Sequence, residues 1–464
     1  MKTLSGRYPR SDPQGLTSPK KMVSKMNVAV MKTKAETSLL EQFEKVAADL
    51  PGGEDVRRER RKAIGDFAGR GLPHRRIEEW KYTDVRAFLK EAATPVGKTT
   101  PVKLSNAQRS QLTCGLDAYT LIFIDGVLAD QDPATEKGLV VSTLGNALAS
   151  SHPSLATPAL ETIDAGARSV LSLNAAFVTD GALIHVQAGA KLARPIHLVF
   201  VSTGVQNHAV SLRNSIVLED GTEATVIESF ATEGQAATQT NALTSVSLAK
   251  GAVLHHAMSA DVAAGSMHLG NTIAELGAKS SYLPFQMTTG NGVTRHQLTI
   301  TFSGRHATFD LGSAVLSTAG GHIDTTMVVD HAVPDCTSRE LYKCVLDGRA
   351  RAVFQGKVIV RPDAQKTDGK QMARALLLSP DAEFNSKPEL EIYADDVVCG
   401  HGTTSMELDE DLLFYCQSRG IPTAEARTLL VESFIGEAID KVEHEAFREI
   451  LMTKARAWLN ATAA

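Results

Sequence analysis

A chain of 464 residues is longer than one hydrophobic core usually serves and predicts two or three domains. Lys and Arg total 48 against 53 Asp and Glu, a formal charge of −5 that offers no bulk attraction to nucleic acid or an anionic membrane, and no apolar run is long enough to span a bilayer. Five scattered cysteines (Cys114, Cys336, Cys344, Cys399 and Cys416) contain no Cys-x-x-Cys. That excludes a disulfide framework and a self-contained zinc, ferredoxin or thioredoxin motif, and it predicts reduced thiols in the cytoplasm.

Residues 1–35 are basic, with later methionines at Met22, Met26 and Met31, and Asp12-Pro13-Gln14-Gly15 breaks any amphipathic helix. The segment reads as a disordered tail or an upstream-start extension in preference to a transit peptide. A mainly helical region is expected over 36–165. In it Leu39, Leu40, Phe43, Val46, Ala47 and Leu50 recur at helical spacing up to Pro51-Gly52-Gly53, and a second helix spans Glu54 to Gly69. In that second helix Val56, Ala63, Ile64 and Phe67 face inward, and Arg57, Arg58, Arg60 and Arg61 form a solvated outer face.

From about Ser169 the texture changes to short strands: Ala182 to Val186, Ile196 to Val201, Ser215 to Leu218, Glu223 to Phe230, Ser245 to Leu248 and Val253 to Ser259. Gly221, Gly251, Gly277 and Gly304 follow one another at 30, 26 and 27 residues, each before a new apolar alternation. That period predicts a mainly β fold with a central right-handed β-helix over 166–405, flanked by N-terminal and C-terminal helical domains. Strand texture continues through Met327 to Val329, Arg351 to Val360 and Leu390 to Val398, and the chain is expected to turn helical after Cys399. Helices follow at Leu412 to Arg419 and, past the Gly420-Ile421-Pro422 stop, from Ala424 onward within a domain of 406–464. Leu429, Leu430, Phe434, Ile435, Ile439, Val442, Phe447, Ile450, Leu451 and Trp458 give that domain more apolar surface than one helix needs, which leaves a face for a partner.

Phosphate-binding, dinucleotide, Gly-x-Ser-x-Gly, zincin and EF-hand signatures are absent. His255-His256 would point to opposite faces of a strand, one buried and one solvated. His296, His306, His322 and His331 could line one solenoid face, although strand histidines usually bond locally. Cys336 and Cys344 read as core thiols. Cys399 and His401 remain. Residues i and i+2 of an extended chain share a face, so a thiol and an imidazole can address one point. Such a pair suits Fe(II), a nascent iron–sulfur cluster or a persulfide, but two ligands do not close a tetrahedral site, so the others would come from a second chain. On the pair alone, buried filler and a satisfied imidazole is the commoner reading.

Several separated segments carry a resemblance. Lys366-Thr367-Asp368-Gly369-Lys370-Gln371, Lys387 to Asp396, Leu412-Leu413-Phe414-Tyr415 and Ser418-Arg419-Gly420-Ile421 resemble the SufB/SufD family of iron–sulfur cluster assembly proteins. Gly71-Leu72-Pro73 and Glu78-Glu79-Trp80-Lys81-Tyr82-Thr83-Asp84 resemble its SufD branch, and the likeness runs from about Glu36 to the C-terminus. The resemblance implies a scaffold and not an enzyme. It implies pairing with a SufB-like subunit through the β-helix ends and a SufC-like ATPase on the C-terminal helices, here assigned to Phe434 and Ile435, with ATP entering only through that ATPase. It also implies iron or a transient cluster at the subunit interface, held by His401 with Cys399 beside it. A flavin contact in the complex and a homodimer stay open.

Two departures from the family pattern stand out: Gly400 replaces a serine between the two ligands, and Cys416 replaces a leucine common in the SufD branch. Only fourteen residues separate Cys399 from Phe414, too few for the insertion of the SufB branch, and Glu443-His444-Glu445-Ala446 lies too far downstream to be that element. The rivals from other classes are a β-helix carbohydrate-active enzyme or acyltransferase, and a structural homodimer with no metal role.

Overall fold

Strand neighbours in this protein are two elements apart in sequence. Val253–Val262 lies parallel between Glu223–Thr232 and Ser281–Gly290, while the intervening strand Met267–Leu276 lies parallel between Thr238–Leu248 and Val293–Phe302. Successive strands therefore alternate between two ten-stranded sheets that face one another, which makes a β-solenoid. The computed structural model describes residues 32–96, 103–150, 155 and 162–463, so the reading of 1–35 as a tail falls almost wholly outside the described residues.

The core lies between the sheets. Inward residues stack in columns across successive coils, one of which runs Ala224, Leu254, Tyr282, Phe309, Ser338, Gly369 and Cys399. Its first four members are buried and apolar or aromatic, and its last three are small or polar. The interior thus changes character toward the C-terminal end of the solenoid.

The period read from glycines is real, but its cause is partly different. Gly221 and Gly251 are left-handed corners (φ 65° and 68°), and the same corner is then taken by Lys279, His306, Asp335 and Lys366 at φ 59° to 62°. Backbone bonds tie these corners coil to coil, Gly251 N to Ala278 O and Lys279 N to Arg305 O among them. Gly277 and Gly304 are not left-handed. They are needed for close approach: a Cβ would stand 2.6 Å from Leu248 O at Gly277 and 2.0 Å from Ala278 N at Gly304.

The helix Lys34–Val46 starts with a reciprocal Thr33/Glu36 capping box, and Glu54–Arg70 follows. Arg57, Arg58 and Arg61 are exposed as expected, but Arg60 is not on that face. It is 1% exposed and donates to Ala176 O (3.1 Å) and Pro51 O (2.9 Å), placing a cation at the C-terminal carbonyls of the helix Ala165–Phe177. The region 36–165 is also less helical than expected. Tyr119–Ile124, Val127–Gln131 and Leu139–Thr143 extend the two sheets, so the sheets begin well before position 166.

The Trp80-Lys81-Tyr82-Thr83 segment is a lock onto the solenoid's flank. Trp80 stacks on Arg295 (3.9 Å) and donates its indole N–H to Asp164 (2.9 Å); Thr83 Oγ1 bonds His322 Nε2 (2.9 Å) and the Asp324 carboxylate, which also pairs with Arg295. Arg295 and Asp324 are both buried, so each needs the other. Thr83→Val keeps the shape and removes one donor to a buried carboxylate. A loss of about 1–3 kcal/mol in urea unfolding is expected.

At the other end, Thr423–Ile439 packs on the strands Thr308–Ser317 and Thr337–Leu346, where Gly312 lets Ala438 O come within 3.1 Å of where a Cβ would be. Val431, Ile435, Ala438 and Ile439 bury there against Phe285, Met287, Ala314 and Val345. Lys343 donates to Phe434 O (2.8 Å), pairs with Glu437 and lies 4.5 Å from the Phe434 ring centroid.

Candidate functional site

Tyr393 to Val397 form a corner between two strands, with Lys366 N bonded to Asp396 O (2.6 Å). The strand expected over Leu390 to Val398 is therefore two: Glu383–Ile392 ends in one sheet and Val398–Met406 begins in the other. Cys399 and His401 sit at the start of this last strand and not at a strand-to-helix junction. The apolar letters Val397 and Val398 hide the break, because a corner can be as apolar as a strand.

Each of these two strands is the terminal member of its sheet, so among the described residues each leaves one backbone edge unpaired. Together they form the open end of the solenoid. Most of their residues are exposed or half-buried, with Ile392, Tyr393, Val398 and Met406 the large exposed apolar ones.

On the last strand Cys399 is opposite Gly369 and His401 opposite Gln371. Cys399 is half-buried, packs against the core and lies 3.6 Å from where a Cβ on Gly369 would stand. Burial pushes its thiol pKa up, with Asp368 and Glu340 adding in the same direction, so the resting group is a thiol that must lose its proton to bind metal. His401 is exposed. Gly400 has open space around it. The pair shares one alternation face at the rim of an open interior, and among the described residues no three His, Cys, Asp or Glu side chains form a closed metal site.

The other expected candidates separate. Cys336 and Cys344 are core thiols, Cys344 fully buried with its pKa pushed up by desolvation. Cys416 is half-buried in the helix Glu410–Ser418. His256 is the buried one of its pair, against the Tyr282 hydroxyl (2.9 Å), while His255 is half-buried with Glu443 at 3.4 Å. His296 and His331 are interior, their pKa values lowered by burial, His322 belongs to the Thr83 lock, and His306 is an exposed corner. They do not share a face.

Two residues were missed. Gln371 and Glu340 occupy the same inward column as His401, one and two strands deeper respectively. Gln371 ends a motif already singled out, but nothing in the letters marks it as inward. Burial raises the Glu340 pKa from 4.5 to about 8, against lowering by Ser338 and Arg339. The folded state then binds a proton that the unfolded state has released, so this carboxyl lowers stability as pH rises from about 4.5 to 8, by up to about 1.4 kcal/mol per unit. Glu340→Gln is expected to flatten the fall of the urea midpoint between about pH 5 and 8.

The C-terminal helices also expose large apolar side chains. Phe414 is 70% exposed, Tyr415 55%, and Leu412 and Leu429 are also exposed. Ile435 is 0% exposed and Phe434 only half-buried under Lys343, so Ile435 holds its helix on the solenoid and presents nothing to a partner.

Comparison with known proteins matches a model of the SufBD core domain of the SUF iron–sulfur cluster system to residues 200–434, and a model of the SufBD N-terminal region to 33–198. The chain belongs to the SufBD family. It is 30% identical over 389 residues to the Escherichia coli iron–sulfur cluster assembly protein SufD, covering 83% of this chain and 88% of that one. It is 30% identical over 415 residues to a SufBD family protein of Synechocystis (86% and 90% coverage), and 24% identical over 288 residues to SufD of Bacillus subtilis (61% and 65%). As a SufBD protein, it carries its N-terminal family region through the Trp80 lock and into the first sheet strands, and its core region through the solenoid to Phe434 in the last helical layer. No described helix is long and apolar enough to cross a membrane.

Proposed function

We propose that this chain is a SufD-like scaffold subunit of a SufB–SufC–SufD assembly, in which iron or a nascent cluster is cargo received at the solenoid's open end. The observation that supports this best is the coincidence of Cys399 and His401 with the two unpaired terminal strand edges. Unpaired edges seek main-chain partners, and a SufB-like subunit adding strands there would bring its own ligands to the two already present. The exposed Leu412, Phe414, Tyr415 and Leu429 would receive the SufC-like ATPase, the only route by which ATP acts. Family membership displaces the carbohydrate-active enzyme and acyltransferase readings.

Affinity purification of the tagged full chain from its own cells, with the bound subunits identified, tests the assembly. Recovery of a SufB-like and an ATPase subunit is expected; recovery of the chain with only further copies of itself would replace this reading with a homodimer.

A further inference from the structure

Glu340, Gln371 and His401 are successive partners across three parallel strands. Parallel strands lie about 4.8 Å apart, so like-facing side chains stack in a single file toward the open end. Glu340 and Gln371 are each 2% exposed. Among the described residues, neither carboxylate oxygen of Glu340, and neither the oxygen nor the nitrogen of the Gln371 amide, has a hydrogen-bond partner of good geometry. Stable folds rarely leave adjacent buried groups so unsatisfied, and where they do the groups usually serve a site.

The space around them is shaped. Across the interior a Cβ on Gly356 would stand 2.8 Å from Gln371 Oε1, so a glycine on the opposite sheet makes room for the amide. The adjoining column, Ser338 to Gly369 to Cys399, offers small side chains and no competing apolar bulk. Along the file the amide stands between Glu340 on one side and His401 on the other.

We infer that Gln371 is the positioning residue of His401: its amide oxygen accepts the inward ring N–H, its amide nitrogen donates to Glu340, and the outward ring nitrogen is left unprotonated at the solenoid mouth. A neutral imidazole has one donor and one acceptor nitrogen, so fixing the donor inward fixes the acceptor outward. Histidines that hold a metal commonly give their other N–H to a carbonyl or carboxylate, which sets tautomer and ring orientation. A carboxamide suits the task because it presents an acceptor on one side and a donor on the other, and hands its own need for an acceptor to Glu340. The inference rests on the reading of His401 as an iron ligand only for its purpose; the ring's orientation is a property of this chain by itself.

The test is a long-range proton–nitrogen correlation spectrum of the full chain labelled with nitrogen-15 histidine, at a pH where the ring is neutral, with the His401 signals identified by their loss in His401→Ala. Wild type is expected to show one dominant tautomer. Gln371→Leu and Gln371→Met, which keep apolar volume and remove both polar atoms, should each move it to the mixture of a free imidazole. Glu340→Gln retains an acceptor and should leave it as in wild type, and the thermal midpoint of each variant reports folding. In the assembled complex at limiting iron, both Gln371 variants should retain about ten-fold less iron. An unchanged His401 tautomer in either folded Gln371 variant would overturn the inference. A shifted tautomer with unchanged iron would uphold the positioning and remove His401 from the iron site.

Discussion

His401→Ala is expected to cut the iron and acid-labile sulfide carried by the reconstituted complex by about ten-fold or more, with subunit pairing and thermal midpoint unchanged. The size follows from ligand count. On the proposed reading this chain offers two ligands at the rim, and loss of the exposed imidazole leaves a single half-buried thiol whose pKa is raised by burial. Stability should be indifferent, because His401 is exposed on the last strand, at the terminal edge of its sheet. Cys399→Ser should cost less cargo, since burial already disfavours the thiolate, and the double variant should match His401→Ala. Unchanged cluster content in the double variant would reduce both residues to structural ones.

Ile435→Asp is expected to destabilise the chain by on the order of 4 kcal/mol and to lose both partners together, whereas Phe414→Asp should lose the ATPase alone. Ile435 is fully buried between its helix and the solenoid, among Phe285, Ala314 and Val345, so a carboxylate there is cut off from water and must break the layer or remain protonated. Phe414 is exposed, so its charge costs the fold little, about 0.5 kcal/mol or less, but disrupts an apolar contact at its centre. Thermal unfolding and co-purification of the two variants separate the cases. Retention of the ATPase by a folded Phe414→Asp chain would move the docking site away from this helix.

The solenoid was legible because its cause is local and repeated. Each coil needs a turn and two stretches of inward apolar residues, and those requirements recur in the letters at about the coil length. The glycines marked that length even where they were not the left-handed corners, because Gly277 and Gly304 serve the same corners by permitting close approach. The Cys399/His401 pair was legible by the two-residue period of a strand, and the Trp80 segment by its letters.

What the letters left open depends on which distant surface lies opposite. Arg60 looked like its three neighbouring arginines until the carbonyl ends of Ala165–Phe177 were found beneath it. Ile435 and Phe414 are alike as apolar residues of the C-terminal helices, and only the packing of Thr423–Ile439 on the sheet makes one a core residue and the other a surface. Glu340 and Gln371 became neighbours of His401 through strand register, across separations of 61 and 30 residues. Sequence by itself determined the family, the repeating architecture and the placing of Cys399 and His401 on one face, because residue type and spacing along one strand or coil are enough for those. Tertiary structure decided which charges are buried, which apolar faces are free and what stands behind the imidazole, because burial and register are properties of paired surfaces and no single segment contains its own partner.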